Sequence, residues 1–320
     1  MNALVTGATG FIGSHLVESL VRQGFDVSCL VRNTSSIRYL EGLNVRLLRG
    51  DCLDAESLPP AVRGVDYVFH LAGITKACSA DEFFAVNVKG TENVMRAVAA
   101  HNPGVRRLVY LSSLAAAGPS HDGRPLREDG AAAPVSVYGK TKRGGEEIVC
   151  GYRNELPLTV IRPPAVYGPR DRDMLVFFKM AKSGIVPYWG KCYYSFIYVE
   201  DLVHGIILSS LSEAAVGEIF FLSDRDIHSS DDVVDAISEA VQKRPLRLIV
   251  PRIIMPLLGH MSEKIRGATI INSDKVREMK YSHWVCDASK AAERLGFEPK
   301  VKIREGARWT ADWYRIHQWL

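Results

Sequence analysis

Short apolar runs alternate with longer amphipathic stretches through the first half of the chain. The runs are too short for helices and are bounded by Gly, Asp or Pro, so we predict strands there. Predicted strands cover residues 2–6, 25–31, 44–49, 66–71, 107–111 and 158–162; predicted helices begin near residue 10 and cover 35–41, 54–63, 80–100 and 138–154. Strands that alternate with helices in this way predict an α/β fold with a doubly wound parallel sheet.

Three glycines stand where the first strand meets the first helix. Gly7 permits a tight turn, Gly10 leaves room for a pyrophosphate against the backbone, and Gly13 lets the helix pack close to the strand. The free N–H groups and the positive dipole end of the helix then face the phosphates. This junction predicts a dinucleotide-binding Rossmann half.

The pattern changes beyond Pro163. Residues 165–192 are irregular apart from a predicted helix at 174–183, and residues 118–134 read as a loop over the pocket. Later predicted elements are a strand at 195–199, a helix at 202–210, a strand at 219–222 on the main sheet, and helices near 231–242, 252–265, 288–295 and 304–318. We therefore predict a dinucleotide-binding domain of residues 1–164 plus about 193–224. Residues 165–192 plus 225–320 form a smaller, mostly helical C-terminal substrate lobe.

A tyrosine and a lysine four residues apart begin the helix predicted after residue 137. On a helix, Tyr138 and Lys142 share one face. A phenol with its ordinary pKa near ~10 is a poor base at neutral pH, and a neighbouring ammonium lowers that pKa. The pair then suits proton transfer at a carbinol oxygen while a hydride passes to a nicotinamide.

Composition narrows the class of protein. Hydrophobic content of 47%, charged content of 24% and a net charge of +4 fit a globular protein and give no sign of nucleic-acid binding. The six cysteines form no CxxC pair and the nine histidines show no ligand spacing, so we expect neither disulfides nor a metal site. The most apolar stretch, 246–259, is interrupted by Arg252 and two prolines, so we expect no membrane span and a cytoplasmic location.

Motifs spread over two thirds of the chain resemble the extended short-chain dehydrogenase/reductase family, the NAD(P)-dependent epimerase/dehydratase group. They are TGATGFIG (6–13), GD (50–51), HLAG (70–73), NVKGT (87–91), LSS (111–113), YGKTK (138–142), RPPAVYGP (162–169) and FIYVEDLV (196–203). The resemblance implies a catalytic triad of Ser113, Tyr138 and Lys142, with Ser113 on the substrate oxygen and Ser112 structural. Its implied cofactor-binding residues are Gly7, Thr9, Gly10, Phe11, Ile12, Gly13, Arg32, Asp51, Cys52, Leu71, Ala72, Gly73, Asn87, Tyr138, Lys142, Pro163 and Val166.

The residue after the second predicted strand bears on the choice between NAD and NADP. An acidic residue there would hold a ribose 2′-hydroxyl and favour NAD. This chain has Arg32 followed by Asn33, Thr34, Ser35 and Ser36, and a guanidinium beside hydroxyls suits a 2′-phosphate. We expect NADP, with NAD the alternative if Arg32 stacks on adenine or faces solvent.

Departures from the family pattern bear on the substrate. Leu114 and Ala115 follow the serine where sugar dehydratases of the family carry an Asp-Glu pair, so elimination of water is disfavoured. The arginine that sugar-nucleotide members often carry before the strand at 195–199 is absent, and Pro163-Pro164-Ala165 replaces a common asparagine. Arg170, Arg172 and Lys191 remain as possible replacements.

Apolar and aromatic residues take the place of that diphosphate site, among them Tyr188, Trp189, Tyr193, Tyr194 and the run 248–261. The pattern resembles the 3β-hydroxysteroid dehydrogenase and ketone reductase branch, which implies hydride transfer on a hydrophobic hydroxyl or ketone. A nucleotide-sugar epimerase is the alternative, and a catalytically silent NADP-sensing protein is a third hypothesis. His70 and Lys76 read as structural. Family members often pair through the helices at 80–100 and 138–154, so we expect a homodimer. We also expect the substrate to be a small molecule.

Overall fold

The computed structural model describes residues 1–250 and 273–320. Its strands are β1 (Asn2–Thr6), β2 (Asp26–Val31), β3 (Val45–Arg49), β4 (Tyr67–His70), β5 (Arg107–Leu111), β6 (Leu158–Arg162), β7 (Ala165–Tyr167), β8 (Ile185–Tyr188), β9 (Tyr193–Tyr194), β10 (Phe196–Tyr198), β11 (Glu218–Phe221), β12 (His228–Ser229), β13 (Leu246–Ile249) and β14 (His283–Trp284). Its helices are α1 (Phe11–Arg22), α2 (Pro59–Val62), α3 (Ala80–Phe84), α4 (Gly90–His101), α5 (Leu114–Ala117), α6 (Val137–Gly151), α7 (Leu175–Ser183), α8 (Val199–Leu211), α9 (Ser230–Val241), α10 (Ser273–Met279), α11 (Ser289–Leu295) and α12 (Ile303–Ile316).

The main sheet confirms the predicted fold class. Its seven strands are all parallel and run in the order β11-β6-β5-β4-β1-β2-β3. Both faces are covered, because β1 and β4 send Val5 and Phe69 into one apolar core and Leu4 and Val68 into the other. The strand order reverses beside β1, so the carboxyl ends of β1 and β4 border the crevice where such sheets bind ligands.

A third apolar core lies outside the main sheet. Helices α7, α9 and α12 pack there around Phe178, Ile237 and Tyr314, beside the small parallel pair β8–β13. A three-stranded sheet, β12-β9-β14, joins residues 193–194 to the chain near 283. The predicted strand at 219–222 is β11, which adds to the main sheet beside β6 as expected. The predicted domain boundaries stay a prediction.

Several local predictions are wrong. Residues 35–41 form turns, with N–H groups of Leu40 and Glu41 bonding to Ile37 O, and no further helical turn follows. The helix at 54–63 splits into a 3₁₀ turn, Ala55–Ser57, and α2, because Pro59 and Pro60 cannot donate helical hydrogen bonds.

The other differences concern longer segments. Residues 165–192 are not irregular but contain β7 and β8. The helix at 80–100 is interrupted by a π-helical segment, Ala85–Lys89. The helix predicted at 252–265 and most of the run 248–261 lie outside the described residues. Within the described part of the chain, no helix is long and apolar enough to cross a membrane.

Candidate active site

The glycine junction has the shape that a phosphate needs. Gly7 has a φ of +73°, and a Cβ there would lie 2.8 Å from the backbone nitrogen of Ala72. A Cβ on Gly13 would lie 2.1 Å from Gly7 O, whereas one on Gly10 would lie 3.2 Å from it. Gly10 caps α1 without a side-chain hydrogen bond, and the first turn of α1 carries no acidic residue. The first N–H groups of the helix are therefore available to an anionic group, because no acidic side chain in this turn competes for them.

One cavity of about 1360 Å³ runs along the carboxyl ends of the strands. It is lined by nearly all of the predicted site residues: Gly7, Thr9, Gly10, Phe11, Ile12, Gly13, Arg32, Asp51, Cys52, Leu71, Ala72, Gly73, Ser113, Tyr138, Lys142, Pro163 and Val166. The predicted loop at 118–134 does not line this cavity. It pairs with the chain near β14 instead, through hydrogen bonds from Ser120 N to His283 O and from Leu126 N to Val285 O.

Asn87 is buried behind the cavity wall. Its Oδ1 accepts from Ile74 N (2.9 Å), and its Nδ2 donates to Ile74 O (3.1 Å) and Thr141 Oγ1 (3.1 Å). Asn87 thus joins the segment after β4 to the helix that carries Tyr138. It belongs to the π-helical segment, and such segments are frequent at functional sites.

His70 is structural in this arrangement, as its position at a strand end suggests. Thr91 Oγ1 donates to Asn87 O (2.8 Å), so it accepts from His70 Nε2 (3.1 Å). His70 Nδ1 is then the acceptor for Thr6 Oγ1 (2.7 Å), and Thr6 Oγ1 accepts from Ala72 N (3.2 Å). This directed chain requires a neutral imidazole with its proton on Nε2, and burial lowers the pKa of His70 to about 3.

Tyr138 and Ser113 meet at the centre of the cavity. Ser113 caps α5 by accepting from Ala115 N (3.1 Å), and it hydrogen-bonds to the Tyr138 hydroxyl. Burial raises the pKa of Tyr138 to about 12, and the Ser113 hydrogen bond acts in the opposite direction. The expectation that Lys142 lowers the pKa of Tyr138 is therefore wrong for this structure, in which burial is the largest influence.

Lys142 is buried on the same side of α6. Its Nζ donates to Leu111 O (2.6 Å) and lies 4.4 Å from the centre of the Tyr110 ring. A Cβ on Gly73 would lie 3.6 Å from this Nζ, so the ammonium borders the segment after β4. Burial lowers the pKa of Lys142 to about 8, and the Glu146 carboxylate acts on that pKa in the opposite direction.

Beside Lys142, the residue that follows β5 has an unsatisfied polar atom. Ser112 is 4% exposed and lines the cavity, and its Oγ has no hydrogen-bond partner within the described part of the chain. Together with the glycine cradle and the uncapped α1, this orphan hydroxyl fits a bound polar group such as a nicotinamide dinucleotide.

The far end of the cavity contains the residues expected to contact adenosine. Asp51 Oδ1 accepts from Leu53 N (3.0 Å), and Asn93 Nδ2 donates to Cys52 O (2.9 Å), so the turn after β3 is held in place. Arg32 is exposed after β2, and its backbone oxygen accepts from Arg49. Arg38, which sequence reasoning missed, lies near it along the wall and stacks on Tyr39.

The second lobe contributes charged residues that sequence reasoning also missed. Asp274 on α10 accepts hydrogen bonds from the backbone N–H groups of Val137 (2.6 Å) and Tyr138 (3.0 Å). Ser136, the N-cap of α6, donates to Glu278 Oε1 (2.8 Å). The first turn of the catalytic helix is thus held by two carboxylates that lie about 140 positions later in the chain.

An ion pair links two segments of the chain that both line the cavity. Lys76, in the segment after β4, pairs with Asp173, just before α7, and both residues line the cavity. No local sequence pattern predicts this contact or the contacts of Asp274, because each of them joins segments that are far apart in sequence. Lys76 therefore acts as a link between the two parts of the chain, in keeping with the structural role expected for it.

The structure brings the glycine-rich turn before α1 close to Ser113, Tyr138 and Lys142 at the strand ends. This arrangement defines a dinucleotide-dependent oxidoreductase of the short-chain type. Comparison with known proteins gives the family. Residues 3–223 match the model of the NAD dependent epimerase/dehydratase family, and the chain belongs to this family. It is accordingly an NAD(P)-dependent enzyme, as the sequence motifs predict.

Individual proteins align over nearly the whole chain. It is 29% identical to a ceramide reductase of Caulobacter vibrioides (99% of this chain, 95% of that protein). It is 30% identical to sterol demethylase protein B of Methylococcus capsulatus, with 98% of each chain covered. The fold matches the crystal structure of gox2253 with a TM-score of 0.85 and 25% identity over 99% of both chains.

Proposed function

We propose that this protein transfers a hydride between NADP(H) and a hydroxyl or ketone on a hydrophobic substrate. The observation that carries the proposal is the continuity of one cavity, from the glycine junction past Tyr138 to an apolar wall. That wall is formed by the second lobe, with Phe177, Met180, Val186, Tyr188, Trp189, Val233 and Ile237 along it. A substrate bound there would bring its carbonyl to Tyr138 and leave its apolar body on this wall.

The triad residues divide the proton chemistry. In the reducing direction, a bound reduced nicotinamide would be the source of the hydride for the carbonyl carbon. Tyr138 gives its phenolic proton to the carbonyl oxygen, and the product is an alcohol with oxidised cofactor. Ser113 holds the same oxygen by a hydrogen bond, and Lys142 binds the nicotinamide ribose. A pKa of about 12 suits Tyr138 to proton donation at neutral pH; oxidation would need that pKa lowered on binding.

The preference for NADP is argued from positive charge. Arg32, Ser35 and Ser36 all line the cavity. A guanidinium with hydroxyls beside it matches a 2′-phosphate, whereas a ribose 2′-hydroxyl calls for a carboxylate. Asp51 and Cys52 would border the adenine, and Pro163 and Val166 the nicotinamide.

The substrate class rests on the wall and on the relatives. The lining of the second lobe is largely apolar and aromatic, as a lipid-like compound requires. The relatives are named a ceramide reductase and a sterol demethylase protein, and both names refer to lipids. Their names therefore support the class of substrate and leave its identity open.

Nucleotide-sugar epimerisation receives less support. Arg170, one candidate grip for a diphosphate, pairs with Glu18 and donates to Ser14 Oγ (3.0 Å) on α1. Arg172 lies 5.2 Å above the Trp319 ring, and Lys191 lies 5.6 Å above that of Tyr193. Arg170, Arg172 and Lys191 therefore already have contacts within the protein. This makes them poor replacements for the arginine that sugar-nucleotide members often carry before the strand at 195–199.

We also propose a cytoplasmic homodimer. Phe84 is 58% exposed at the end of α3, whereas the neighbouring Phe83 is 4% exposed and packs near Tyr138. An exposed phenylalanine beside α4 and α6 suits helix pairing between two copies. Phe84→Ser is expected to shift the mass measured by light scattering from dimer to monomer.

The test of the cofactor proposal is binding of NADP(H) and NAD(H) to purified protein and to Arg32→Ala. Loss of a guanidinium–phosphate contact should weaken NADP(H) binding roughly 10- to 100-fold, with little change for NAD(H). The matched control is Arg46→Ala, at an exposed position on β3. This variant should bind both dinucleotides as the native protein does. Tightly held NAD that is indifferent to Arg32 would refute the NADP preference and favour epimerisation.

A further inference from the structure

The small two-stranded sheet β8–β13 has an apolar outer face in contact with solvent. Leu246 pairs with Ile185 and Leu248 with Pro187, so these side chains share one face. Ile185 is 51% exposed, Leu246 76% and Leu248 59%. We call Ile185, Leu246 and Leu248 the apolar rim. Side chains this size rarely cluster in water without a partner.

The other face of the same sheet belongs to the substrate cavity. Val186 is buried and Tyr188 half-buried, and both line the cavity wall that the proposed function assigns to the substrate. Arg247 also lies on this inner side, where it pairs with Asp231 and Asp235 on α9. The apolar rim therefore adjoins the cavity, which Pro187, the partner of Leu248, also lines.

Exposed basic side chains border the apolar rim. Residues 174–191 and 240–250 contain three basic residues each, six in total, and no acidic residue, in a chain with a net charge of +4. Lys182, Lys243 and Arg244 are exposed, and Lys243 reaches Gly184, beside Ile185. Exposed apolar side chains ringed by cations have the composition of a surface that rests on an anionic bilayer.

We propose that the apolar rim and its basic border dock on an anionic lipid membrane, from which the hydrophobic substrate enters the cavity. This inference rests on the proposed function, since a substrate confined to a bilayer needs a route to Tyr138. The apolar side chains enter the acyl boundary, and the lysines contact phosphate groups of the lipids. Each basic residue at the surface strengthens binding roughly fivefold at low salt.

The test is co-sedimentation with vesicles of phosphatidylcholine and phosphatidylglycerol (70:30), with pure phosphatidylcholine vesicles for comparison. The native protein should bind the anionic vesicles, and added salt should release it. Leu246→Ser with Leu248→Ser should weaken binding about tenfold or more, and Lys182→Glu with Lys243→Glu should do the same. The matched control is Val216→Ser with Ile227→Ser, which are 41% and 48% exposed elsewhere.

Activity on a dispersed short-chain ketone separates this proposal from the proposed function. The rim variants should keep that activity, because none of the three rim residues lines the cavity. Reductase activity without binding to anionic vesicles would overturn the docking proposal alone. Vesicle binding without activity on any hydrophobic ketone would overturn the proposed function. A change of oligomeric state in the Leu246/Leu248 variant would assign the rim to a second copy of the chain and refute membrane docking.

Discussion

Asp274 gives a graded test of how the second lobe acts on the catalytic helix. Its carboxylate accepts from the N–H groups of Val137 and Tyr138, and its side chain is 14% exposed. Asp274→Asn keeps one acceptor oxygen, but its NH₂ group cannot accept the second hydrogen bond, and the charge at the helix N-terminus, worth about 1 kcal/mol, is lost. Asp274→Ala loses both hydrogen bonds, and bonds to a charged group contribute ~1.5–3 kcal/mol each.

These free energies set the expected kinetics. The helix itself should persist in both variants, because Ser136 still caps it through Gly139 N (3.0 Å). What weakens is the docking of α10 on α6, so kcat/KM should fall roughly tenfold in Asp274→Asn, which loses one bond, and about 150-fold or more in Asp274→Ala, which loses both. The Kd for the dinucleotide should stay within about twofold, because the glycine junction is untouched. Lys280→Ala, exposed just beyond α10, is the matched control and should behave as the native protein does.

The pH profile distinguishes positioning from a general loss of stability. Glu278 on α10 is one of the charges that raise the pKa of Tyr138. If α10 separates from α6, that influence is lost and the pKa of Tyr138 falls. The alkaline limb of kcat/KM should therefore move to lower pH in Asp274→Ala. Unchanged kcat/KM and an unchanged limb in Asp274→Ala would refute the reasoning, whatever the melting temperature does.

Three further changes address the triad, the glycine junction and the buried histidine. Tyr138→Phe should lower kcat by about 10²- to 10⁴-fold while dinucleotide binding, followed by fluorescence titration, is retained; substantial activity would exclude Tyr138 as the acid. Gly13→Ala should abolish dinucleotide binding because its Cβ would lie 2.1 Å from Gly7 O, whereas Gly151→Ala, with nothing within 4 Å, should bind normally. His70 has a folded-state pKa of about 3, below its unfolded value, so its contribution to stability is complete above pH 6.5 and declines as pH falls towards 3. Urea unfolding should show the advantage of the native protein over His70→Gln shrinking by about 2 kcal/mol from pH 7 to pH 5; a constant difference would contradict the neutral imidazole.

The parts of the site that could be predicted from sequence are those fixed by local geometry. Gly7 and Gly13 are dictated by one turn and one close helix contact within a few residues of each other. The spacing of Tyr138 and Lys142 follows from the period of a helix. The run of apolar strands likewise predicts a sheet buried on both faces, and the structure has one. Each of these inferences needs a few neighbouring residues and no knowledge of the rest of the chain.

The pKa of Tyr138 could not be predicted in this way, because it depends on every group packed around the phenol. The helix spacing identifies Lys142, but it gives no account of the burial that raises the pKa or of Glu278 and Asp173, which come from the second lobe. Lys142 directs its Nζ to Leu111 O, a contact set by the packing of α6 on β5. A motif therefore identifies candidate residues for proton transfer, whereas the surrounding fold sets the pKa of each one. The same distinction explains why Asp274 was missed: its function lies in a contact with residues about 140 positions away, and its own neighbourhood in the sequence carries no sign of it.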